Sequence, residues 1–175
     1  MPDKVTQVLR AREGGNVYRC HGIPHLDEYT VGKHTFDMLL LLDALHPAPT
    51  VDLFLAILRH DLHERYMGDI PGRIKVSLPA LHKAWKEATA LIVQELEDDS
   101  AARLSEEDRA WLDALDKLEL LLWCHDQLAQ GNKNVTRVLQ DVENRLRNGA
   151  GIPQPVREFY DAFAWKRTNE MHPDR

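Results

Sequence analysis

Cysteine is nearly absent from this chain: Cys20 and Cys124 are the two in 175 residues. They stand about a hundred positions apart in no metal-type spacing, which argues against a thiolate zinc site and leaves at most one disulfide open. Both read as free thiols in a reducing compartment. An excess of positive charge is also missing. With 22 Lys and Arg against 28 Asp and Glu the net charge is -6, which argues against a nucleic-acid partner held by phosphate neutralisation. A small anionic substrate stays open, because a metal and a few local cations outweigh a global charge. The longest apolar run, Met38 to Leu42, is far too short to span a membrane. The start, Met1-Pro2-Asp3-Lys4, lacks the basic and apolar regions of a signal peptide, so the expected location is the cytoplasm. Alternating strand patterns, repeats, low-complexity segments and interior linkers are absent too. What remains is one all-α domain over residues 1–175, long enough to bury its own core.

What is present is helical periodicity, enough for six or seven helices. A short helix over 3–12 should turn Val5, Val8 and Leu9 inward and end at Gly14-Gly15. Residues 16–29 read as irregular. Thr30 caps a helix over 31–46, closed by Pro47 and Pro49. Thr50 or Asp52 caps a central helix that runs to about Tyr66. Beyond the loop Gly68 to Gly72, the stretch Arg73 to Val76 reads as extended. A helix from about Ser77 to Asp98 is amphipathic through Leu81, Trp85, Ala88, Ile92 and Leu96. Ser105-Glu106-Glu107-Asp108 resembles a capping box and opens a long helix to Ala129, ended by Gly131. Two further helices occupy 134–148 and 155–169.

The chemistry concentrates in one stretch, Ile57 to Asp69. Glu64 lies four residues after His60 and three after Asp61, so on a helix all three lean toward one face. Gly68 then breaks the helix and sets Asp69 in a loop. Four groups stand out as metal ligands: His34, His60, Asp61 and Asp116. Asp116 sits beside Leu112, Leu115 and Leu118 on a face that should be buried, where a carboxylate is costly unless paired with a cation or a metal. Two imidazoles and two carboxylates suit Co, Mn, Zn, Ni or Fe at an open site, with Mg at a second position near Glu64 as an option. Each group has a plainer counterpart. His34 alone is a packed ring, Asp116-Lys117 a surface pair, and His60-Asp61 a common dipeptide.

Taken together, these residues resemble the HD-domain phosphohydrolases, whose metal is held by a His, a His-Asp doublet and a later Asp. Three stretches sharpen the likeness toward the compact 5′-deoxynucleotidases and the phage deoxynucleoside triphosphate triphosphohydrolases. They are Arg19 ahead of Lys33-His34-Thr35, then Leu58 to Pro71, then Leu112 to Glu119 continuing to Ala129-Gln130-Gly131-Asn132. The resemblance implies that His34, His60, Asp61 and Asp116 bind a divalent metal. It implies that Glu64 is the acid/base near the attacked phosphorus, that Asp69 faces the deoxyribose, and that Arg19 contacts phosphate, as its forked guanidinium suits. Relatives commonly place a Trp after that Arg, against the sugar or base; here the residue is Cys20.

The implied reaction is hydrolysis of the 5′-phosphoester of a 2′-deoxynucleotide in a bacterial or phage-infected cytoplasm. The short chain resembles the phage triphosphohydrolases more than the longer bacterial nucleotidases, which tilts the reading toward a triphosphate, dATP first. Arg73, Lys75, Lys83, Lys86 and Lys117 could hold the outer phosphates or equally be solvated side chains on amphipathic helices. A 5′-deoxynucleotidase acting on monophosphates is the alternative. A regulatory module that keeps the fold but does no chemistry, and a phosphodiesterase, are further rivals. A homo-oligomer is expected through the aromatic C-terminal segment Val156, Phe159, Tyr160, Phe163 and Trp165.

Overall fold

The computed structural model describes residues 3–72, 77–96 and 98–171, and among them every regular element is helical. In chain order they are α1 (Lys4–Gly14), α2 (Val31–Leu45), α3 (Val51–Arg59) and the single turn α4 (Glu64–Met67). Then follow α5 (Pro79–Glu95), α6 (Glu106–Ala129), α7 (Thr136–Asn148) and α8 (Gln154–Met171). The expected all-α architecture is what the chain adopts. Local chemistry sets several boundaries. The Thr30 hydroxyl accepts from Lys33 N–H at 3.2 Å, and Thr50, rather than Asp52, accepts from Leu53 N–H at 3.0 Å. The Ser105 hydroxyl accepts from Asp108 N–H at 3.0 Å. Gly131, at φ +88°, ends α6.

The core is built around α6. Trp111, Ala114, Leu115, Leu118 and Leu121 pack against Met38 and Leu42 of α2, Leu53 and Ile57 of α3, and Leu139, Val142 and Leu146 of α7. This places the functional half of α6 beside the start of α2 and the end of α3.

Four expectations need correcting. The central helix does not run to Tyr66; it ends at Arg59, and the chain turns through His60–His63 before α4. The Ile57 carbonyl, which a continuing helix would use for Asp61 N–H, accepts from the His60 ring at 2.7 Å. Three-residue turns follow, Leu62 N–H to the Arg59 carbonyl and Glu64 N–H to the Asp61 carbonyl, both 3.0 Å. Second, Val5, Val8 and Leu9 of α1 are exposed, not inward. Gly14 is the α1 residue that is buried, and a Cβ there would sit 2.9 Å from the Leu62 side chain. Its smallness lets α1 press on the turn that carries His60 and Asp61. Third, of the stripe expected on α5 only Leu81 is exposed, while Trp85, Ala88, Ile92 and Leu96 are half-buried. Fourth, most of the apolar face of α8 is spent on its own core: Val156 and Tyr160 are buried, and Phe159 and Phe163 pack against the same cluster, which leaves Trp165, 71% exposed, as the solvent-facing member of that segment. The reading of Arg73 to Val76 as extended falls outside the described residues. Among those described, no helix is long and apolar enough to cross a membrane.

Candidate metal and phosphate site

His34 sits in the first turn of α2, wholly buried, because the Thr30 cap starts the helix against the core. His60 follows the last residue of α3, and Asp116 lies midway along α6. The packing of these three helices brings the ligand atoms of His34, His60 and Asp116 within 4.8 Å of one another. His34 Nε2 lies 3.1 Å from Asp116 Oδ1, and His60 Nε2 lies 3.1 Å from Asp61 Oδ2. Asp61 therefore borders the trio. The Asp116 side chain is not enclosed as its helix face led one to expect; it is 43% exposed and forms the open lip of the cluster.

Both rings are oriented through the same edge, the one opposite Nε2. His60 Nδ1 bonds the Ile57 carbonyl, and His34 Nδ1 bonds the Glu119 carboxylate. Both Nε2 atoms are buried, and neither makes a hydrogen bond of sound geometry. Two inward, unpaired imidazole nitrogens beside two carboxylates are the donor set expected of a divalent transition-metal site. Burial alone would lower the basicity of His60, but the adjoining Asp61 charge outweighs it and lifts the ring to about 9. A proton and a cation thus compete for that nitrogen.

Arg19 reaches this cluster from the segment before α2. A short two-stranded contact pins that segment: Tyr18 bridges Thr30, Arg19 N–H donates to the Tyr29 carbonyl at 2.8 Å, and Val31 N–H to the Val17 carbonyl at 2.9 Å. The guanidinium donates to the Asp61 carboxylate and, at 3.3 Å, to Asp116. It also lies over the Tyr29 ring, 5.6 Å from its centroid.

Glu64 is buried at the start of α4, and its Oε2 has no hydrogen-bond partner. Burial, together with the Asp61 and Asp69 charges, pushes its carboxyl up to about 8. Gly68, at φ +71°, then turns the chain so that Asp69 faces the Arg19 segment. There Asp69 Oδ2 accepts from Cys20 N–H at 2.7 Å. Cys20 itself adopts φ +52°, a conformation uncommon outside glycine. Burial and the nearby Asp69 push its thiol up to about 12, so it is not a nucleophile at neutral pH.

The expected phosphate lysines behave differently. Lys117 turns along α6 to pair with Asp113 and its carbonyl. Lys83 is solvent-exposed and lies 4.0 Å from Glu87. Lys75, like Arg73, falls outside the described residues. Among the described residues, His34, His60 and Asp116 are the one group of three or more such side chains close enough to share an ion, so none gathers a second, Mg-type site around Glu64. Glu119 and Tyr29 escaped the sequence reading. The signal for Glu119 was its spacing, three residues after Asp116 and so on the same helical face.

Residues 16–166 match the model of the family described as 5′-deoxynucleotidase YfbR-like. Among curated proteins, none matches. Two solved structures share the fold. A conserved hypothetical protein from Pyrococcus furiosus is 20% identical at a TM-score of 0.61, with 91% of this chain and 98% of that one covered. The PH0347 protein from Pyrococcus horikoshii OT3 is 17% identical at 0.68, with 90% and 96% covered. At such identities they speak to the fold alone. With the family match spanning most of the sequence, the chain belongs to the YfbR-like 5′-deoxynucleotidases, which are HD-type metal-dependent phosphohydrolases.

Proposed function

We propose that the protein hydrolyses 2′-deoxynucleoside 5′-monophosphates to deoxynucleoside and phosphate. The observation that carries the catalytic reading is the pair of buried, unpaired Nε2 atoms of His34 and His60 facing Asp116, with Arg19 and a partnerless Glu64 oxygen alongside. The monophosphate is favoured over the triphosphate for two reasons. The family description names a 5′-deoxynucleotidase. Lys117, one of the cations that could have held outer phosphates, is paired with Asp113.

His34, His60, Asp61 and Asp116 would hold the divalent metal, which when bound supplies Lewis acidity at phosphorus and an acidified water at neutral pH. Arg19 neutralises charge on the phosphoryl oxygens as the bond to the sugar oxygen breaks. Glu64, whose burial favours the protonated form, gives its proton to the departing 5′-oxygen. Asp69, steadied through Oδ2 by the Cys20 amide, offers Oδ1 to a sugar hydroxyl. Cys20, smaller than Trp, leaves room beside the sugar.

The direct test is a panel of dAMP, dATP, dGTP, AMP and ATP under Co²⁺, Mn²⁺, Mg²⁺ and Zn²⁺, reading phosphate against triphosphate. Phosphate from dAMP with little turnover of dATP is the expected result; triphosphate release would overturn the monophosphate reading. Comparable turnover of AMP would show that the 2′-hydroxyl is not excluded.

The chain is also expected to associate. With most of the α8 face consumed by its own core, the exposed apolar side chains include Val5, Val8 and Leu9 on α1, Leu81 and Leu91 on α5, and Trp165 of the C-terminal segment. Light scattering at tens of micromolar, where weak interfaces still form, should give at least a dimer mass. A monomer mass there would refute it.

A further inference from the structure

We propose that Glu119, steadied by Tyr29, is a positioning residue that fixes His34 in its Nδ1–H tautomer and leaves the Nε2 lone pair facing Asp116 and His60. The inference rests on the reading of His34 as a metal ligand but concerns a residue outside that ligand set.

Glu119 is 3% exposed, and a buried carboxylate is costly unless donors compensate it. Two donors converge on one atom, Oε2: the Tyr29 hydroxyl at 2.5 Å and His34 Nδ1. Tyr29 has little freedom to turn away. It is wholly buried and stacks on Trp123, with ring centroids 4.3 Å apart and planes 11° apart. A carboxylate oxygen has no hydrogen to give, so at this contact the Tyr29 hydroxyl is the donor. A carboxylate only accepts, so the ring nitrogen that meets it carries the hydrogen. The other nitrogen, Nε2, then presents a lone pair 3.1 Å from Asp116 Oδ1. Two acceptors facing each other at that distance repel unless a proton or a metal ion sits between them. Glu119 therefore makes one ring available to a metal, the task that the Ile57 carbonyl performs for His60.

Glu119→Met fills similar space without an acceptor, whereas Glu119→Gln keeps an oxygen that both donors can reach. The measurements are Co²⁺ titration of the chelator-stripped protein by calorimetry and long-range proton–nitrogen spectra of nitrogen-15 histidine. The His34 signal is assigned by its loss in His34→Asn. The wild type is expected to show His34 protonated at Nδ1. Glu119→Met should lose that signature and bind Co²⁺ roughly 10–100-fold more weakly, the range for partners one layer out from a metal. Glu119→Gln should keep the signature and stay within a few-fold of wild type.

A wild-type His34 carrying its proton on Nε2 would overturn the proposal with no variant needed, even if Glu119→Met failed to fold. So would Co²⁺ affinity unchanged in Glu119→Met, or lost equally in Glu119→Gln. If the wild type bound no Co²⁺ while the signature vanished in Glu119→Met and survived in Glu119→Gln, the metal reading would fall and the positioning role would stand.

Discussion

Replacing Glu64 by glutamine is expected to cut turnover of a deoxynucleoside monophosphate by roughly 10²–10⁴, the range for losing a positioned proton-transfer group, while bound metal stays at wild-type stoichiometry. The carboxyl lies where it can act without being a ligand. It opens α4 one turn beyond Asp61, is buried, and keeps Oε2 unpaired. In the metal-free protein, burial and the Asp61 and Asp69 charges push the carboxyl up to about 8, and burial favours the protonated form that can donate to a leaving oxygen. Glutamine has the same shape and cannot. Metal lost together with activity would make Glu64 a ligand; near-normal turnover would pass the acid role to Asp69.

The same substitution should stabilise the metal-free protein at alkaline pH, which separates it from ordinary damage. The folded carboxyl titrates near 8 against an ordinary 4.5, so the folded state binds the proton more tightly than the unfolded state. That stabilisation is complete below about pH 4.5, fades as pH rises, and is gone above 8, where the buried charge opposes folding. Each tenfold change in acidity is worth about 1.4 kcal/mol, so the whole effect is on the order of a few kcal/mol. In chelator, Glu64→Gln should melt above wild type at pH 9 by several degrees, at roughly 2–4 °C per kcal/mol for a chain of this size. The gap should close toward pH 5. A gap that does not vary with pH would mean that Glu64 is ionised throughout.

Much of this arrangement was legible in the sequence, and what was not has identifiable causes. The caps at Thr30 and Ser105 and the stop at Gly131 are written in residues whose local chemistry leaves few options. The lysine pairs Lys83–Glu87 and Asp113–Lys117 were readable too, since both are spaced four apart on helices. The break after Arg59 was not, because it turns on which way the His60 ring points: toward Ile57, it occupies the carbonyl the helix would have used. Nor could periodicity say what covers an apolar face. Val5, Val8 and Leu81 fit a helical stripe as well as Leu115 and Leu118 do, yet only the latter meet a partner helix. Glu119 looked like one more acid on a charged helix until Tyr29 and His34, distant in sequence, converged on it.

Asp61→Asn should decide whether the metal is held by three side chains or four. The trio His34, His60 and Asp116 already brings its ligand atoms within 4.8 Å, and Asp61 enters through its 3.1 Å approach to His60 Nε2. Arg19 competes for the same carboxylate, so Asp61 could instead serve chiefly as that guanidinium's partner. The physical case for a ligand is the charge balance. Neutral His34 and His60 with Asp116 alone would leave a divalent cation one charge short of neutrality, and a buried uncompensated charge is costly. As a ligand, Asp61 should on replacement by asparagine cost roughly 10²-fold or more in Co²⁺ affinity, beyond the 10–100-fold that outer partners command. The loss should persist as pH is raised past 9, because His60 competes for protons only below that value. Were Asp61→Asn to hold Co²⁺ as tightly as wild type while nucleotide binding weakened, the site would be the trio. Asp61 would then be the residue that aims Arg19 at the phosphate.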